Sequence, residues 1–371
     1  MASSEEHDFK PSIPPHLVVE RTIPLSTPPD YIPPFPVYSA KFGEDVAGLT
    51  MAVIGAQFAA RNDEKESEAI MIVNLFLKAS CDAEARPAFM EWAAVTDRRG
   101  YYNMTAIAYW KEHTTFETWR RQSGFNPWWE SLGTRPQQQQ QHGWFLEIFS
   151  PSVTQIEAVS SHNWVPEGAG RVRESIVGPI REHAYWGSMR DRLPIAQTDP
   201  LDGHAFDVKA SGKTAAVSPL PQRIRVPGRH NLAIIRSGQD WKDTSAEERA
   251  MYQSEMHPVL QAGMDFLRDE GEEVGCYSCR LMDIINPVTR QADEDRTFGL
   301  AFFNELASLE KWAKKHPTHL AIFGGFIKYA QRLNHQISLR LTHEVLVLRP
   351  EQQLFEYIGC HRETGMLVAA A

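Results

Sequence analysis

The apolar and polar positions divide the chain into two halves that repeat one order of elements. In the first half, the apolar run at residues 51–58 predicts a strand, and a helical pattern follows over about residues 65–78. In the second half, the run at residues 233–241 is followed in the same way by a helical pattern over about residues 245–268. This parallel predicts an internal duplication.

The parallel continues further along each half. Residues 103–110 alternate like a half-buried strand and residues 115–121 look helical, and residues 296–303 and 306–312 repeat this order. Both halves therefore read β-α-β-β-α-β. This is the order of the ferredoxin-like unit, in which an antiparallel sheet carries helices on one face. We expect an α+β fold in which two such units pack their sheets into a barrel-like core.

Proline-rich and low-complexity segments interrupt this pattern. Residues 1–45 are dense in proline, which fixes φ and removes backbone donors, so they predict an extended surface arm that could grip a partner subunit. Residues 137–141 are a run of glutamine, and residues 199–228 are punctuated by prolines and predict a connector. The predicted organisation is the arm, an N-terminal half at 46–198, the connector and a C-terminal half at 229–371.

The composition indicates which binding partners and which cellular compartment are expected. Of 371 residues, 42% are hydrophobic and 10% aromatic, which suffices for a substantial core. The 38 Lys and Arg against 47 Asp and Glu give a formal charge of −9, which disfavours nucleic acid or anionic lipid and favours a small molecule. Four cysteines are too few for a disulfide framework, and neither a secretory leader nor a long apolar run is recognisable. We expect a cytoplasmic protein with no membrane span.

A histidine interrupts one apolar row. If residues 339–347 form a strand, its period of two puts His343 on the same face as Leu341 and Val345, and Glu344 on the other. One interpretation is a core histidine that a backbone carbonyl satisfies. The other is an acid, a base or a ligand in an apolar pocket.

A second histidine stands at the start of a predicted helix. Pro317 suits a first helical position. From there one face carries a histidine followed by apolar residues: His319, Phe323, Phe326 and Ala330. Gly324 and Gly325 each cost helix stability, roughly 1 kcal/mol against alanine, which close approach of a flat group or another backbone would offset. A helix-start histidine with glycines at a helix–helix contact is the alternative.

Two further features carry candidate chemistry. Ser237 shares a face with Ala233 and Ile235 at the end of a predicted strand, where a turn or cap residue is the alternative to a catalytic one. Cys276 and Cys279 have CxxC spacing, but no second pair follows and a strand would point the two sulfurs apart, so metal or redox use is disfavoured.

Four blocks of sequence resemble the aldoxime dehydratases, a family of haem-dependent lyases. They are His-Ala-Tyr-Trp-Gly-Ser-Met-Arg-Asp-Arg at 183–192, Asn-Leu-Ala-Ile-Ile-Arg-Ser-Gly-Gln-Asp-Trp at 231–241, His-Pro-Thr-His-Leu at 316–320 and Thr-His-Glu-Val at 342–345. Shorter blocks, Tyr-Ile-Pro-Pro-Phe-Pro at 31–36 and Glu-Tyr-Ile-Gly-Cys-His at 356–361, extend the likeness through most of the chain.

The resemblance implies a fold, a cofactor and a set of site residues. It implies a dimeric α+β barrel of two ferredoxin-like halves, related to the dye-decolourising peroxidases and chlorite dismutases, with one haem b in the C-terminal half. It makes His319 the proximal haem ligand and His343 the distal histidine. It makes Ser237 the active-site serine, Arg192 the distal arginine and Glu157 an acidic residue near the site.

The activity that this resemblance implies is removal of water from an aldoxime, R–CH=N–OH, to leave a nitrile at ferrous haem. His343 would exchange protons with the substrate while Ser237 and Arg192 hold its oxygen. A haem peroxidase of the same barrel class, whose Gly-x-x-Asp-Gly motif does not occur here, and a non-catalytic haem carrier or gas sensor are the alternatives.

The substrate side chain is less defined by the sequence. Four aromatic residues favour an arylaliphatic substrate such as phenylacetaldoxime: Tyr185, Trp186, Phe302 and Phe303. An alkyl chain would fit the same surface.

Overall fold

The computed structural model describes residues 8–79, 83–132, 142–184, 188–206, 219–220 and 222–370. Its strands are β1 Tyr38–Lys41, β2 Thr50–Phe58, β3 Phe89–Thr96, β4 Tyr102–Trp110, β5 Gly143–Phe149, β6 Ile156–Ser160, β7 Ser175–Val177, β8 Arg223–Val226, β9 Leu232–Asp240, β10 Cys276–Ile285, β11 Ala292–Phe303, β12 Arg340–Leu348 and β13 Gln353–Ile358. Its α-helices are α1 Asp63–Leu77, α2 His113–Gln122, α3 Phe125–Leu132, α4 Ser188–Arg192, α5 Ala246–Met251, α6 His257–Asp269, α7 Leu306–Lys315 and α8 Pro317–Arg332. The glutamine run and much of the predicted connector lie outside the described residues.

The described strands form one antiparallel sheet. Their order is β7-β1-β6-β12-β9-β11-β10-β3-β4-β2-β5-β13-β8. Outward from the junction where β10 pairs with β3, one side runs β10-β11-β9-β12 and the other β3-β4-β2-β5. The chain therefore uses one strand order twice, with a helix or helices between the same strands. The expected α+β class is confirmed.

The sheet curves until distant strands touch across its inner face. The rings of Phe149 in β5 and Phe302 in β11 have centroids 5.7 Å apart although four strands separate them in the sheet. Arg280 in β10 likewise donates to both carboxylate oxygens of Glu147 in β5, at 2.7 and 2.8 Å. Side chains from both halves fill this enclosed core.

Helices cover the outer face of the sheet. The first three, α1 to α3, pack over β2 to β5 in one apolar cluster, and α6 and α7 pack over β9 to β12 in another. Alternate side chains of β12 pack on opposite faces of the sheet: Val345 and Val347 belong to the outer cluster, and Leu346 belongs to the inner core.

The long helix predicted at about residues 245–268 is interrupted by a π-helical turn at Tyr252–Met256. Pro258 has no N–H and its ring crowds the carbonyl of Ser254. The turn before it widens, and the N–H of His257 donates to the carbonyl of Tyr252.

The N-terminal arm lies along the surface of its own chain. A 3₁₀ turn at Pro15–Leu17 is its one helical element among residues 8–37, and its end, at Tyr38–Lys41, pairs with β6 and β7 as β1. None of the helices in the described part of the chain has the length and apolar character that crossing a bilayer requires.

Candidate active site

β12 carries His343 on the outer face of the sheet, between β9 and β6. Its register partners are Ser237 on β9 and Val159 on β6. Val345, two residues along the same face, is buried, whereas His343 is exposed. No described residue hydrogen-bonds its ring. The interpretation of His343 as a core histidine satisfied by a carbonyl is therefore wrong.

Protein nevertheless surrounds the open ring of His343. Its removal from bulk water lowers its pKa to about 4, and the positive charges of Arg192 and His319 contribute in the same direction. These groups must lie close enough for their charges to act on the ring. His343 therefore lies within electrostatic reach of His319 and Arg192, and its ring is neutral at pH 7.

The start of α8 orients His319. His316 is the N-cap and Pro317 follows at the first helical position, as predicted. The Nδ1 atom of His319 lies 2.9 Å from the backbone oxygen of Ala313 and must donate to it, because a carbonyl only accepts. Nε2 then holds the lone pair that a metal ion requires. Burial lowers the pKa of His319 to about 4, so the ring is neutral at pH 7.

The apolar row of α8 remains partly uncovered. Among its 16 residues, Tyr329 and Ala330 near the C-terminal end are buried. Phe323 and Phe326, which follow His319 on the same face, are only partly buried. An apolar helix face with a metal-binding nitrogen at its start fits a flat apolar group that carries a metal, as haem does.

The two glycines of α8 have different surroundings. A Cβ atom on Gly325 would stand 3.2 Å from the sulfur of Met256, so this glycine permits a close contact with the π-helical turn. A Cβ atom on Gly324 would have no neighbour within 4 Å. The helix–helix explanation thus accounts for Gly325 and not for Gly324.

Arg192 and Glu157 form a buried ion pair beside this row. Glu157 lies opposite Val345 in the sheet, on the face that carries His343. Arg192 donates from Nε and Nη2 to the two oxygens of Glu157, at 2.9 and 2.8 Å, and from Nη1 to the backbone oxygen of Glu182 at 3.0 Å. The carboxylate of Glu157 is therefore committed to Arg192 and does not neutralise a charged His343.

Ser237 is held by Gln239, a residue that the sequence pattern did not single out. Gln239, two positions along β9, donates from Nε2 to the hydroxyl oxygen of Ser237 at 3.2 Å and to its backbone oxygen at 3.0 Å. Thr297 donates to the amide oxygen of Gln239 at 3.1 Å, which fixes the orientation of that amide. Since the serine oxygen accepts from Gln239, its own proton is available to donate elsewhere. The period of two along β9 could have identified Gln239.

His183 is a second residue that the sequence left without a role. Its pKa is lowered to about 3 by burial and by the positive charges of Arg192 and His343. It therefore lies within electrostatic reach of Arg192 and His343.

Two expectations about side-chain position are wrong. Phe302 and Phe303 are each 0% exposed in packed clusters, so neither lines an open substrate pocket. Cys276 and Cys279 do not point apart, because a β-bulge after Cys276 brings both into the outer cluster. Both are free thiols, and no group of metal-binding side chains occurs among the described residues. Tyr185 and Trp186 lie outside the described part of the chain.

The fold and the site together define an α+β protein in which two neutral histidines lie within electrostatic reach of each other, with Ser237 opposite His343 in the sheet and the Arg192–Glu157 ion pair on the same face. Residues 52–366 match the model of the haem-containing dehydratase family, and the chain belongs to this family. Its cofactor is haem.

The chain is similar to named enzymes over nearly its whole length. The chain is 38% identical to the aliphatic aldoxime dehydratase of Rhodococcus erythropolis over 360 residues, which are 95% of this chain and 96% of that enzyme. It is 27% identical to the phenylacetaldoxime dehydratase of Bacillus sp. strain OxB-1, over 92% of this chain and 93% of that one. A crystal structure of an aldoxime dehydratase in complex with butyraldoxime superposes with a TM-score of 0.85 at 36% identity, covering 97% of this chain and 96% of the other.

Proposed function

We propose that this protein is a haem-dependent lyase that converts an aldoxime, R–CH=N–OH, into a nitrile and water. The observation that carries the proposal is the exposed ring of His343, which makes no hydrogen bond to a described residue and lies within electrostatic reach of His319. Membership of the haem-containing dehydratase family and similarity to aldoxime dehydratases support it.

His319 would hold the haem through Nε2. The proton that Nδ1 shares with Ala313 places the lone pair of the ring on Nε2 and orients the ring. Ferrous haem b held in this way would supply an electron-rich metal centre that can bind a nitrogen ligand and weaken an N–O bond.

His343 would move the proton that the reaction requires. Hydroxide is a poor leaving group, so the N–O bond breaks readily once the oxygen is protonated and departs as water. In our proposal a ring nitrogen of His343 gives this proton and then takes one from the oxime carbon, and the carbon–nitrogen triple bond closes. Atoms and charge balance, because R–CH=N–OH becomes R–C≡N and H₂O.

Ser237 and Arg192 would orient the oxime oxygen toward His343. Gln239 leaves the serine hydroxyl able to donate, and Glu157 fixes the plane of the guanidinium. A charged donor of this kind steadies the negative charge that develops on the oxygen as the N–O bond lengthens.

The repeated strand order supports a finer description of the fold. We propose two ferredoxin-like halves, residues 46–198 and 229–371, whose sheets form a barrel-like core, with residues 199–228 as the connector. The haem belongs to the second half. We further propose a cytoplasmic homodimer.

The relatives favour a short alkyl substrate. The aliphatic aldoxime dehydratases are 36 to 38% identical to this chain, and the phenylacetaldoxime enzyme is 27% identical. We therefore propose an aliphatic aldoxime such as butyraldoxime as the preferred substrate.

The decisive experiment is anaerobic turnover by the haem-loaded, dithionite-reduced protein, with butyraldoxime and phenylacetaldoxime compared side by side. The expected result is the nitrile from both, a higher kcat/KM for butyraldoxime, and a spectral shift on adding either. A bis-histidine spectrum that does not change with aldoxime would identify a haem carrier or sensor instead, and peroxide-driven dye oxidation would identify a peroxidase.

A further inference from the structure

The N-terminal arm is fastened to the residue that precedes Arg192. Asp191 is 1% exposed, and its carboxylate accepts hydrogen bonds from the backbone N–H groups of Ser26 and Thr27, at 2.9 and 2.7 Å. The hydroxyl groups of the same two residues donate to it as well, at 3.0 and 2.6 Å. The arm thus supplies several of the hydrogen bonds that this buried carboxylate needs.

The arm also grips the chain on the other side of Arg192. The backbone oxygen of Gln197 accepts from the N–H groups of Thr22 and Ile23, at 3.0 and 3.1 Å. The side chain of Gln197 accepts from the N–H of Val19 at 3.1 Å and donates to the backbone oxygen of Leu17 at 2.8 Å. The short segment from Asp191 to Gln197, which carries Arg192, is therefore held at both ends.

An earlier part of the arm lies against the ion pair itself. The N–H of Ser12 donates to the carboxylate of Glu182 at 2.8 Å, and Glu182 receives Arg192 on its backbone oxygen. Ser12 and Leu17 line a cavity of about 30 Å³ together with Glu157 and Arg192. A cavity of this size has room for about one water molecule, so the arm forms part of the wall beside the Arg192–Glu157 pair.

The arm then continues to the helix that carries His319. The ring of Phe35 meets the ring of Phe326 on α8 edge to face, with centroids 5.2 Å apart. One extended strap, 12–35, therefore touches the Arg192 segment and the apolar row of α8. Neither contact involves a second subunit.

We infer that the arm is part of the active site and that Thr27, acting through Asp191, is a positioning residue that sets the place of the Arg192 guanidinium. The inference rests on the proposed role of Arg192 in holding the oxime oxygen. A buried carboxylate that loses hydrogen-bond donors shifts toward other donors and displaces its own backbone. Arg192 is the next residue along that backbone. A misplacement of about 1 Å in such a group lowers a rate by roughly a hundredfold, and a partial one by less.

The test compares substitutions that are matched in shape. Thr27→Val keeps the volume and the backbone donor but removes the hydroxyl, Thr27→Ser restores the hydroxyl, and Thr22→Val makes the same change at an exposed arm position. With butyraldoxime we expect Thr27→Val to lower kcat about tenfold with haem content and the Soret band unchanged. Thr27→Ser and Thr22→Val should stay within about twofold of the wild type. Ser26→Ala removes one donor from the same carboxylate at an exposed position and should lower kcat about threefold. This variant tests the inference if Thr27→Val folds poorly.

A double-mutant cycle separates this inference from the proposed function. If Thr27 acts through Arg192, Thr27→Val costs nothing further in an Arg192→Lys background. If Thr27→Val lowers kcat by the same factor in both backgrounds, or only in proportion to a loss of haem, the positioning role is wrong. The proposed lyase activity is not affected by that outcome. A wild-type kcat in Arg192→Lys overturns the role of Arg192 and this inference with it.

Discussion

The outer faces of the two halves share a strand order but are occupied differently. In the N-terminal half, alternate residues of β2 from Ala52 to Phe58 are buried beneath Trp119 and Phe125 of the covering helices. In the C-terminal half, the outer face of β9 carries Ser237, which is half-buried, and β12 presents the exposed His343 beside it. One face is packed with aromatic side chains, and the other leaves a serine and a histidine uncovered.

A histidine in each half makes the difference sharper. His142 has a pKa lowered to about 4 by burial, as His343 has, but its ring contacts the tilted rings of Phe58 and Trp144, with centroids 4.7 and 4.9 Å away. A lowered pKa therefore marks enclosure in both halves. The open ring surface, and not the pKa, distinguishes the site.

The largest expected effect is the loss of haem from His319→Ala. Removal of the nitrogen that binds iron should abolish the Soret band of the purified protein. The haem content per chain should fall close to zero. His316→Ala, which alters the N-cap three residues earlier, is the matched control and should retain haem. Normal haem content in His319→Ala would show that another residue holds the iron.

The next effect is on turnover at His343. His343→Ala should keep haem and aldoxime binding but lose kcat by roughly 10² to 10⁴, the range typical of a positioned acid. His142→Phe, which keeps an aromatic ring at the packed histidine of the other half, should leave kcat unchanged. Comparable losses in both variants would mean that the two halves do not differ in function.

The pH profile tests the protonation state of His343. Because its pKa is lowered, to about 4, its charged fraction grows as the pH falls from about 8 to 5. If the charged ring is the acid, kcat/KM should rise by up to roughly tenfold per pH unit over that interval. A kcat/KM that instead falls with falling pH would assign the first step to the neutral ring acting as a base.

A smaller effect is expected at Gln239. Gln239→Leu removes the donor that holds the hydroxyl oxygen of Ser237, so the hydroxyl can rotate away, and kcat should fall about tenfold with KM nearly unchanged. Ser237→Ala should fall at least as far. If Gln239→Leu also lowers kcat in a Ser237→Ala background, Gln239 acts independently of the serine.

The smallest effect on the site should come from the packed half. Trp119 is 0% exposed, and Trp119→Ala should lower the free energy of unfolding by about 3–5 kcal/mol, because the cavity that it leaves is only partly refilled. Haem content and the Soret band of the folded fraction should not change. Denaturant unfolding of the apoprotein and haem titration measure the two quantities separately. Haem bound in the new cavity would instead show that the packed face is an equivalent site.

Periodicity predicted most of the elements because it reports directly on burial. The strand at 103–110 and the helix at 306–312 are present within a few residues of the expected bounds. Periodicity did not predict the π-helical turn at Tyr252–Met256, which depends on backbone crowding at Pro258, nor the bulge after Cys276. Neither feature leaves a mark in the spacing of apolar residues.

The candidate site was partly accessible from sequence. The period of the strand predicted the face on which His343 lies. Only the three-dimensional structure shows that its ring is exposed and makes no hydrogen bond to a described residue. Asp191 lies in the block at 183–192, and its partners in the arm are 164 and 165 residues away. A contact at such a distance along the chain depends on how the sheet closes, which local pattern does not encode.

The fastening of the arm also bears on the order of events during synthesis. Thr27 leaves the ribosome 164 residues before Asp191 does. At a bacterial or eukaryotic elongation rate this is an interval on the order of ten to thirty seconds. The proline-rich composition disfavours regular structure between the 3₁₀ turn and β1, and this stretch of the arm can contact the segment that carries Arg192 only after the middle of the polypeptide has been translated.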